Sequence, residues 1–234
     1  MYRIYGIFVG LTFIAVTLPL LLLVAVVPGQ PRRRRIVKAA GQLLFCLIGA
    51  RPSVAGLSNL PAGPCVAVAN HASYLDGMIL TAVLPARFTF VIKSEMTRVP
   101  FANFLLQRIG SEFVERFDRS KGAADARRIM GHAKRGESLG FFPEGTFRAE
   151  PGLRRFHNGA FVAATRGDLP VVPIVIRGSR AMLPAHQWLA KPGRLEVQIN
   201  TPVNLPGEDL SAPEIRRLCR ASILADLGEP DLAK

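Results

Sequence analysis

The sequence predicts an α/β domain with a mixed, mostly parallel sheet flanked by helices, preceded by an N-terminal membrane-associated helix or helices. Three observations predict it. The chain opens on an uncharged apolar stretch, short apolar runs then alternate with helix-like segments, and neither an internal repeat nor a low-complexity segment beyond one arginine run breaks the alternation. An apolar content of 49% over 234 residues excludes disorder and provides for one substantial domain plus an appendage.

The apolar stretch runs from Tyr5 to Val27, close to the roughly 20 residues that a membrane crossing needs. Only Arg3 precedes it, whereas Arg32 to Arg35 and Lys38 follow, so the positive-inside rule leaves the rest of the chain on the cytoplasmic side of an inner, cytoplasmic membrane. A cleaved signal peptide is disfavoured by the length of the run and by the arginines behind it. Pro19 interrupts the run and the chain after Ile36 is again amphipathic, so a helix that dips into one leaflet stays open beside a full span. Residues 1–51 are read as the anchor (apolar helix 5–27, basic run 31–35, amphipathic segment 36–50) and residues 52–234 as the globular domain.

Pro52 to Pro64 reads as a connector. Cys65 to Ala69 is suited to a buried strand, Tyr74 to Leu84 to a helix and Phe88 to Ile92 to a second strand. A helix near Pro100 to Ile109, a strand near Glu112 to Glu115 and a polar helix from about Ser120 to Lys134 repeat the pattern. Leu139 to Phe142 supplies another strand, and a loop from Pro143 to Asn158 leads to an apolar helix near Gly159 to Arg166. Val171 to Ile176 is strand-like; Arg194 to Asn200 alternates like an exposed or edge strand, and Ala212 to Leu227 reads as a terminal helix.

A formal charge of +13 requires an anionic partner or surface: membrane lipid, nucleic acid or a phosphorylated substrate. Aromatic residues make up only 8% and no nucleic-acid module is recognisable, so nucleic acid is set aside. Cys46, Cys65 and Cys219 lack metal or disulfide spacing and read as reduced packing residues. The histidines at 71, 132, 157 and 186 form no standard ligand set, so no metal is implied.

Chemistry is sought at the carboxyl ends of strands, where open sheets place their ligands. His71 follows one such strand within Asn70-His-Ala-Ser-Tyr-Leu-Asp76. If His71 sits in the turn and Asp76 in the first helical turn, the carboxylate reaches one imidazole nitrogen and leaves the other to accept a proton. A purely structural reading competes, because Ser73-Tyr-Leu-Asp76 also matches a capping box. Phe142-Pro-Glu-Gly-Thr-Phe147 follows another strand and opens on the same edge; Gly145 would supply a positive φ there. Arg148, Arg154, Arg155 and His157 come next, so this loop either accepts phosphate charge or is simply solvated.

Taken together, four segments resemble, in order and spacing, the sequence blocks of the lysophospholipid acyltransferases, above all the 1-acylglycerol-3-phosphate acyltransferases. They are Asn70 to Asp76, Gly110-Ser-Glu-Phe-Val-Glu-Arg116, Phe142-Pro-Glu-Gly-Thr146 and Val172-Pro-Ile-Val-Ile176. The resemblance implies that His71 removes the proton of a lysophospholipid hydroxyl, that Asp76 orients it, and that the oxygen attacks an acyl thioester directly. It implies phosphate contacts from Arg116 and Lys93, and an acceptor side shaped by Glu144, Gly145 and Thr146. Donors would be acyl-CoA or acyl carrier protein, used as co-substrates with no further cofactor; the partners would be the lipid bilayer and the lysophospholipid. One departure stands out: many members carry arginine where this chain has Phe147, so Arg148 swings in or phosphate binding rests on Lys93 and Arg116. Two rivals remain, a lipid hydrolase, which would lack the Gly-x-Ser-x-Gly elbow, and a basic membrane-bound lipid-binding protein.

Overall fold

The computed structural model describes residues 2–115 and 119–233, with residues 119–124 and 126 as backbone only. In chain order, α1 (Tyr2–Val26) and α2 (Gln30–Leu47) precede β1 (Ser53–Ala55), β2 (Val66–Ala69), α3 (Leu75–Val83), β3 (Thr89–Lys93), α4 (Pro100–Arg108) and β4 (Glu112–Val114). Then come α5 (Arg119–Lys134), β5 (Leu139–Phe141), α6 (Gly159–Gly167), β6 (Val171–Arg177), α7 (Ser179–Met182), β7 (Glu196–Ile199) and α8 (Ala212–Leu227).

The strands form one sheet in the order β1-β7-β6-β2-β5-β3-β4, parallel at every junction except β6–β7. The central strand β2 is buried throughout because its two sides enter different layers. Ala67 and Ala69, with Val172, Ile174 and Ile176, pack under α2 and α3; Val66 and Val68, with Val171 and Val175, pack under α5, α6 and α8. Alternation of this kind turns a run of small apolar residues into a two-faced core strand.

Two expectations need correction. The Pro52–Pro64 stretch is more than a connector, since it holds β1, which pairs in parallel with β7. In consequence β7 lies inside the sheet, although its alternating burial is what an edge strand also shows.

The basic run is part of a helix. Arg32 to Arg35 lie within α2, and two of them serve backbone carbonyls. Arg33 donates to Val27 O (2.7 Å) and Arg108 O (3.3 Å); Arg34 donates to Ile109 O (2.7 Å), Arg87 O (3.2 Å) and Thr89 Oγ1 (2.7 Å). Lys38 likewise donates to Val83 O and Leu84 O at the end of α3. At Val27, Val83, Leu84, Arg108 and Ile109 these cations satisfy carbonyls that helix ends leave without partners.

Helix α1 is long and apolar enough to cross a membrane, and about 37 Å long at 1.5 Å per residue. Yet it touches the domain along its whole length. Gly6 lies against Leu189 and Ala190, Val9 and Val16 pack on the core under α2 and α3, and Leu20 and Val24 join a cluster with Val37 and Ile109. A Cβ at Gly6 would come within 2.8 Å of the Leu189 Cβ, so glycine permits the close approach. The inward stripe has helical spacing, and the outer face carries exposed Ile4, Ile7, Leu11, Leu18 and Leu22.

Candidate active site

The carboxyl ends of β2, β5 and β6 meet at one edge, where three connecting segments build the site. Asn70 fixes the first. Its Nδ2 donates to Ile176 O (3.0 Å) and its Oδ1 accepts from Ile176 N–H (2.7 Å), so a side-chain amide prolongs the β2–β6 ladder one step past Ala69. The chain then turns sharply, and Asp76 in the first turn of α3 organises the turn. Its Oδ2 accepts from Ala72 N–H (2.6 Å), Ser73 N–H (2.8 Å) and His71 Nδ1 (2.9 Å).

This convergence decides the tautomer. An oxygen already receiving two N–H groups is an acceptor, so the proton of the shared contact resides on His71 Nδ1 and the lone pair on Nε2. The geometry accommodates both readings of the motif: Asp76 bonds the Ser73 amide, as a cap does, and also contacts the imidazole. Ser73 Oγ donates to Leu183 O (2.6 Å) and accepts from Leu75 N–H (3.1 Å), engagements that do not leave it a nucleophile aimed at His71.

The imidazole is 17% exposed, against 0% for Asp76, so the ring meets solvent while its partner does not. Phe142 stacks on the ring at 4.3 Å and Phe147 meets it edge-on at 4.6 Å; Phe147 also makes an edge contact with Tyr74 at 4.7 Å. The residue found where arginine was expected is thus an aromatic wall against the His71 ring.

Glu144 links the second segment to the first. Its Oε1 accepts from His71 N–H (2.7 Å) and its Oε2 from Arg154 N–H (2.9 Å), with the side chain buried. Gly145 follows at φ 81°, the left-handed conformation expected of it, with its N–H on Phe142 O (3.0 Å). Burial pushes the Glu144 carboxyl above its usual value, against the N–H bonds from Arg154 and His71 and the charge of Arg180. A raised value means that, above the unfolded-state value, the native state retains a proton that the unfolded state has lost. Stability therefore falls as pH rises through that window, and below it the difference vanishes. Glu144→Gln, which does not titrate, should remove this slope while costing about 1–3 kcal/mol through an imperfect hydrogen bond. Unfolding midpoints from about pH 4 to 8 would check it, and parallel profiles for the two proteins would refute it.

The other expected residues are placed less centrally. Lys93 ends β3, partly buried and in register with Val114, on the same edge as β5. Thr146 is exposed and offers its carbonyl to Arg154. Arg148 is exposed, and its carbonyl accepts from Arg180 Nη1 (2.5 Å). Arg116 lies outside the described residues.

Arg180, in α7 after β6, had no place in the sequence reading. It donates to Arg148 O and Glu150 O and pairs with Glu229 (2.9 Å), which itself accepts from Gly152 N–H, so one ion pair pins the third segment to the end of α8. Its signal in the sequence is slight: a basic residue just past an apolar strand. Asn70 was quoted only as part of a motif, and its ladder-extending role needed the register of β6.

The fold and site define a class: an α/β protein with a histidine hydrogen-bonded to a buried aspartate at the carboxyl edge of a mostly parallel sheet, beside an apolar helix. A family model described as Acyltransferase matches residues 51–177. The chain belongs to this acyltransferase family.

Among its relatives, the chloroplastic 1-acyl-sn-glycerol-3-phosphate acyltransferase BAT2 of Brassica napus is 32% identical over 71% of this chain and 49% of its own length. The 1-acyl-sn-glycerol-3-phosphate acyltransferase of Saccharomyces cerevisiae is 28% identical over 68% and 53%. The lyso-ornithine lipid O-acyltransferase of Pseudomonas aeruginosa is 30% identical over 70% and 67%. The chain thus spans about half the length of several curated relatives it matches. The crystal structure of the 1-acyl-sn-glycerophosphate acyltransferase PlsC from Thermotoga maritima superposes with a TM-score of 0.79 over 96% of this chain and 95% of that one, at 21% identity. The likeness establishes the fold, apolar N-terminal helix included.

Proposed function

We propose that this protein transfers a fatty acyl group from a thioester to the free hydroxyl of 1-acylglycerol-3-phosphate, giving phosphatidic acid at a membrane surface. The observation that carries the reading is the three-way grip of Asp76 Oδ2 on His71, Ala72 and Ser73, which leaves Nε2 as a base. In the proposed reaction Nε2 takes the hydroxyl proton as the oxygen attacks the thioester carbonyl. A C–O bond forms, the C–S bond breaks, and the imidazolium returns the proton to the departing thiolate. Asp76 stabilises the imidazolium between the two transfers. No acyl-enzyme forms, in keeping with the engagement of Ser73 elsewhere. Lys93 and Arg116 are assigned to the acceptor phosphate, and Glu144, Gly145 and Thr146 to the acceptor side of the cleft. Arg148 is the further phosphate candidate.

Residues 1–51 are assigned to membrane binding. The inward stripe of α1 and its exposed apolar outer face support a helix that lies in the interface plane, leaving the domain on the cytoplasmic side, where soluble thioesters occur. An acceptor with one long acyl chain partitions into the bilayer, so a site held there meets it by lateral diffusion.

One assay tests the reading. Purified protein is added to vesicles carrying lysophosphatidate or lysolipids of other head groups, acyl thioester is supplied, and both diacyl product and protein floating with the vesicles are measured. Product from lysophosphatidate in preference to the others, with flotation, is expected. Acyl release that is independent of any acceptor would establish a hydrolase instead, and preference for another lysolipid would overturn the acceptor assignment.

A further inference from the structure

On the face of the sheet opposite α1 to α3, the start of α8, the Arg155–Phe156 segment and the tail at Ala233 enclose an open groove of about 530 Å3. Its wall carries Arg155, Arg216, Arg217 and Arg220, with Glu214 as the one acid among the described residues of the lining. Their charges are unequally compensated. Arg220 pairs with Asp231 and also donates to Leu153 O, while Glu214 is held by the N–H and hydroxyl of Ser211, with Arg217 as its neighbouring cation. Arg216 donates to the neutral Asn158 Oδ1 (2.6 Å), and Arg155 is exposed; neither has a carboxylate partner among the described residues. Such uncompensated guanidinium groups in a concave site favour a bidentate anion.

The groove's rim is linked to the His71 turn through Glu144. Arg155 follows Arg154, whose N–H shares the Glu144 carboxylate with His71 N–H, so a single side chain separates the groove's rim from the catalytic turn. The two sides of the site also differ in environment: α1 lies beyond one face of the sheet, the groove beyond the other.

We propose that this groove binds the phosphate-bearing nucleotide end of coenzyme A, so that the thioester donor enters from the aqueous face while the lipid acceptor enters from the membrane side. The inference rests on the transfer reading for the donor's role, and it assigns Arg155 to the donor rather than to the acceptor phosphate. The groove's volume lies within the roughly 300–1,000 Å3 of small-molecule sites, whereas a carrier protein would need a contact of about 800 Å2 on each partner.

The test uses the double variant Arg155→Ala/Arg216→Ala in the full chain, with three donors bearing the same acyl group: acyl-CoA, acyl-pantetheine and acyl carrier protein. The KM for acyl-CoA should rise about 10-fold or more with kcat unchanged, since one charge-assisted contact carries roughly that factor. The KM for acyl-pantetheine, which has no nucleotide, should be the same in both proteins. Calorimetric titration with coenzyme A alone should show the same weakening, and it reads the groove even if no acceptor is ever acylated. An unchanged affinity for coenzyme A would overturn the proposal. So would an equal rise for acyl-pantetheine, which marks a structural effect, or a rise confined to the carrier protein. Absence of product with every donor, with coenzyme A binding intact and groove-dependent, would instead sink the transfer reading alone.

Discussion

Acyl transfer by the His71→Ala protein is expected to fall about 10²–10⁴-fold, the range for loss of a positioned general base, while its unfolding midpoint shifts little. The side chain being removed is partly exposed, and its truncation leaves the turn intact: His71 N–H stays on Glu144, and Asp76 retains the Ala72 and Ser73 amides. What goes is the only nitrogen lone pair in the turn with Asp76 behind it. Vesicle flotation should be unaffected, because the contacts of α1 lie elsewhere. Measured with lysophosphatidate and an acyl thioester, transfer retained within about threefold would remove His71 from the mechanism.

Asp76→Asn should cost a comparable factor, about 10²–10⁴ in kcat, and for a more specific reason. The amide oxygen can still receive the Ala72 and Ser73 N–H groups, so the cap survives and the midpoint should drop by no more than a few degrees. Two things change at the imidazole. The negative charge that stabilises the imidazolium is gone, and the bond that Nδ1–H made to a carboxylate oxygen becomes a weaker one to a neutral amide oxygen, so the tautomer with its lone pair on Nε2 is held less firmly. The variant thus separates the two roles that the motif combines. Full activity with unchanged stability would reduce Asp76 to a helix cap; a collapse in stability matching the loss of activity would make the kinetic effect structural.

Much of this site was legible in the sequence because its parts are local. His71 and Asp76 are five residues apart, and their contact requires only a strand end, a turn and a helix start. The Pro-Glu-Gly turn and the positive φ of Gly145 are likewise local. Phe147 could be recognised as a departure, but where its ring goes could not: packing against His71 and Tyr74 depends on how two loops from different strands approach each other. Arg180 and Asn70 were missed for the same reason, their partners lying 30 to 49 and 106 residues away respectively.

By itself the sequence determined the alternation of strands and helices, the mostly parallel sheet, the apolar N-terminal helix, the terminal helix over Ala212–Leu227 and the histidine–aspartate pair. Periodicity and turn chemistry are imprinted residue by residue, because burial of one face selects apolar residues at a fixed spacing. Only the tertiary structure decided that three exposed residues at Ser53–Ala55 would pair as β1 and so bring β7 inside the sheet. It alone decided that Arg33 and Arg34 would satisfy helix-end carbonyls, and that Arg155 and Arg216 would face one groove without a carboxylate partner among the described residues. A charged side chain has no period that reveals its partner. Whether it is paired, capping or left to attract a ligand is settled by what the folded chain places within about 3 Å of it.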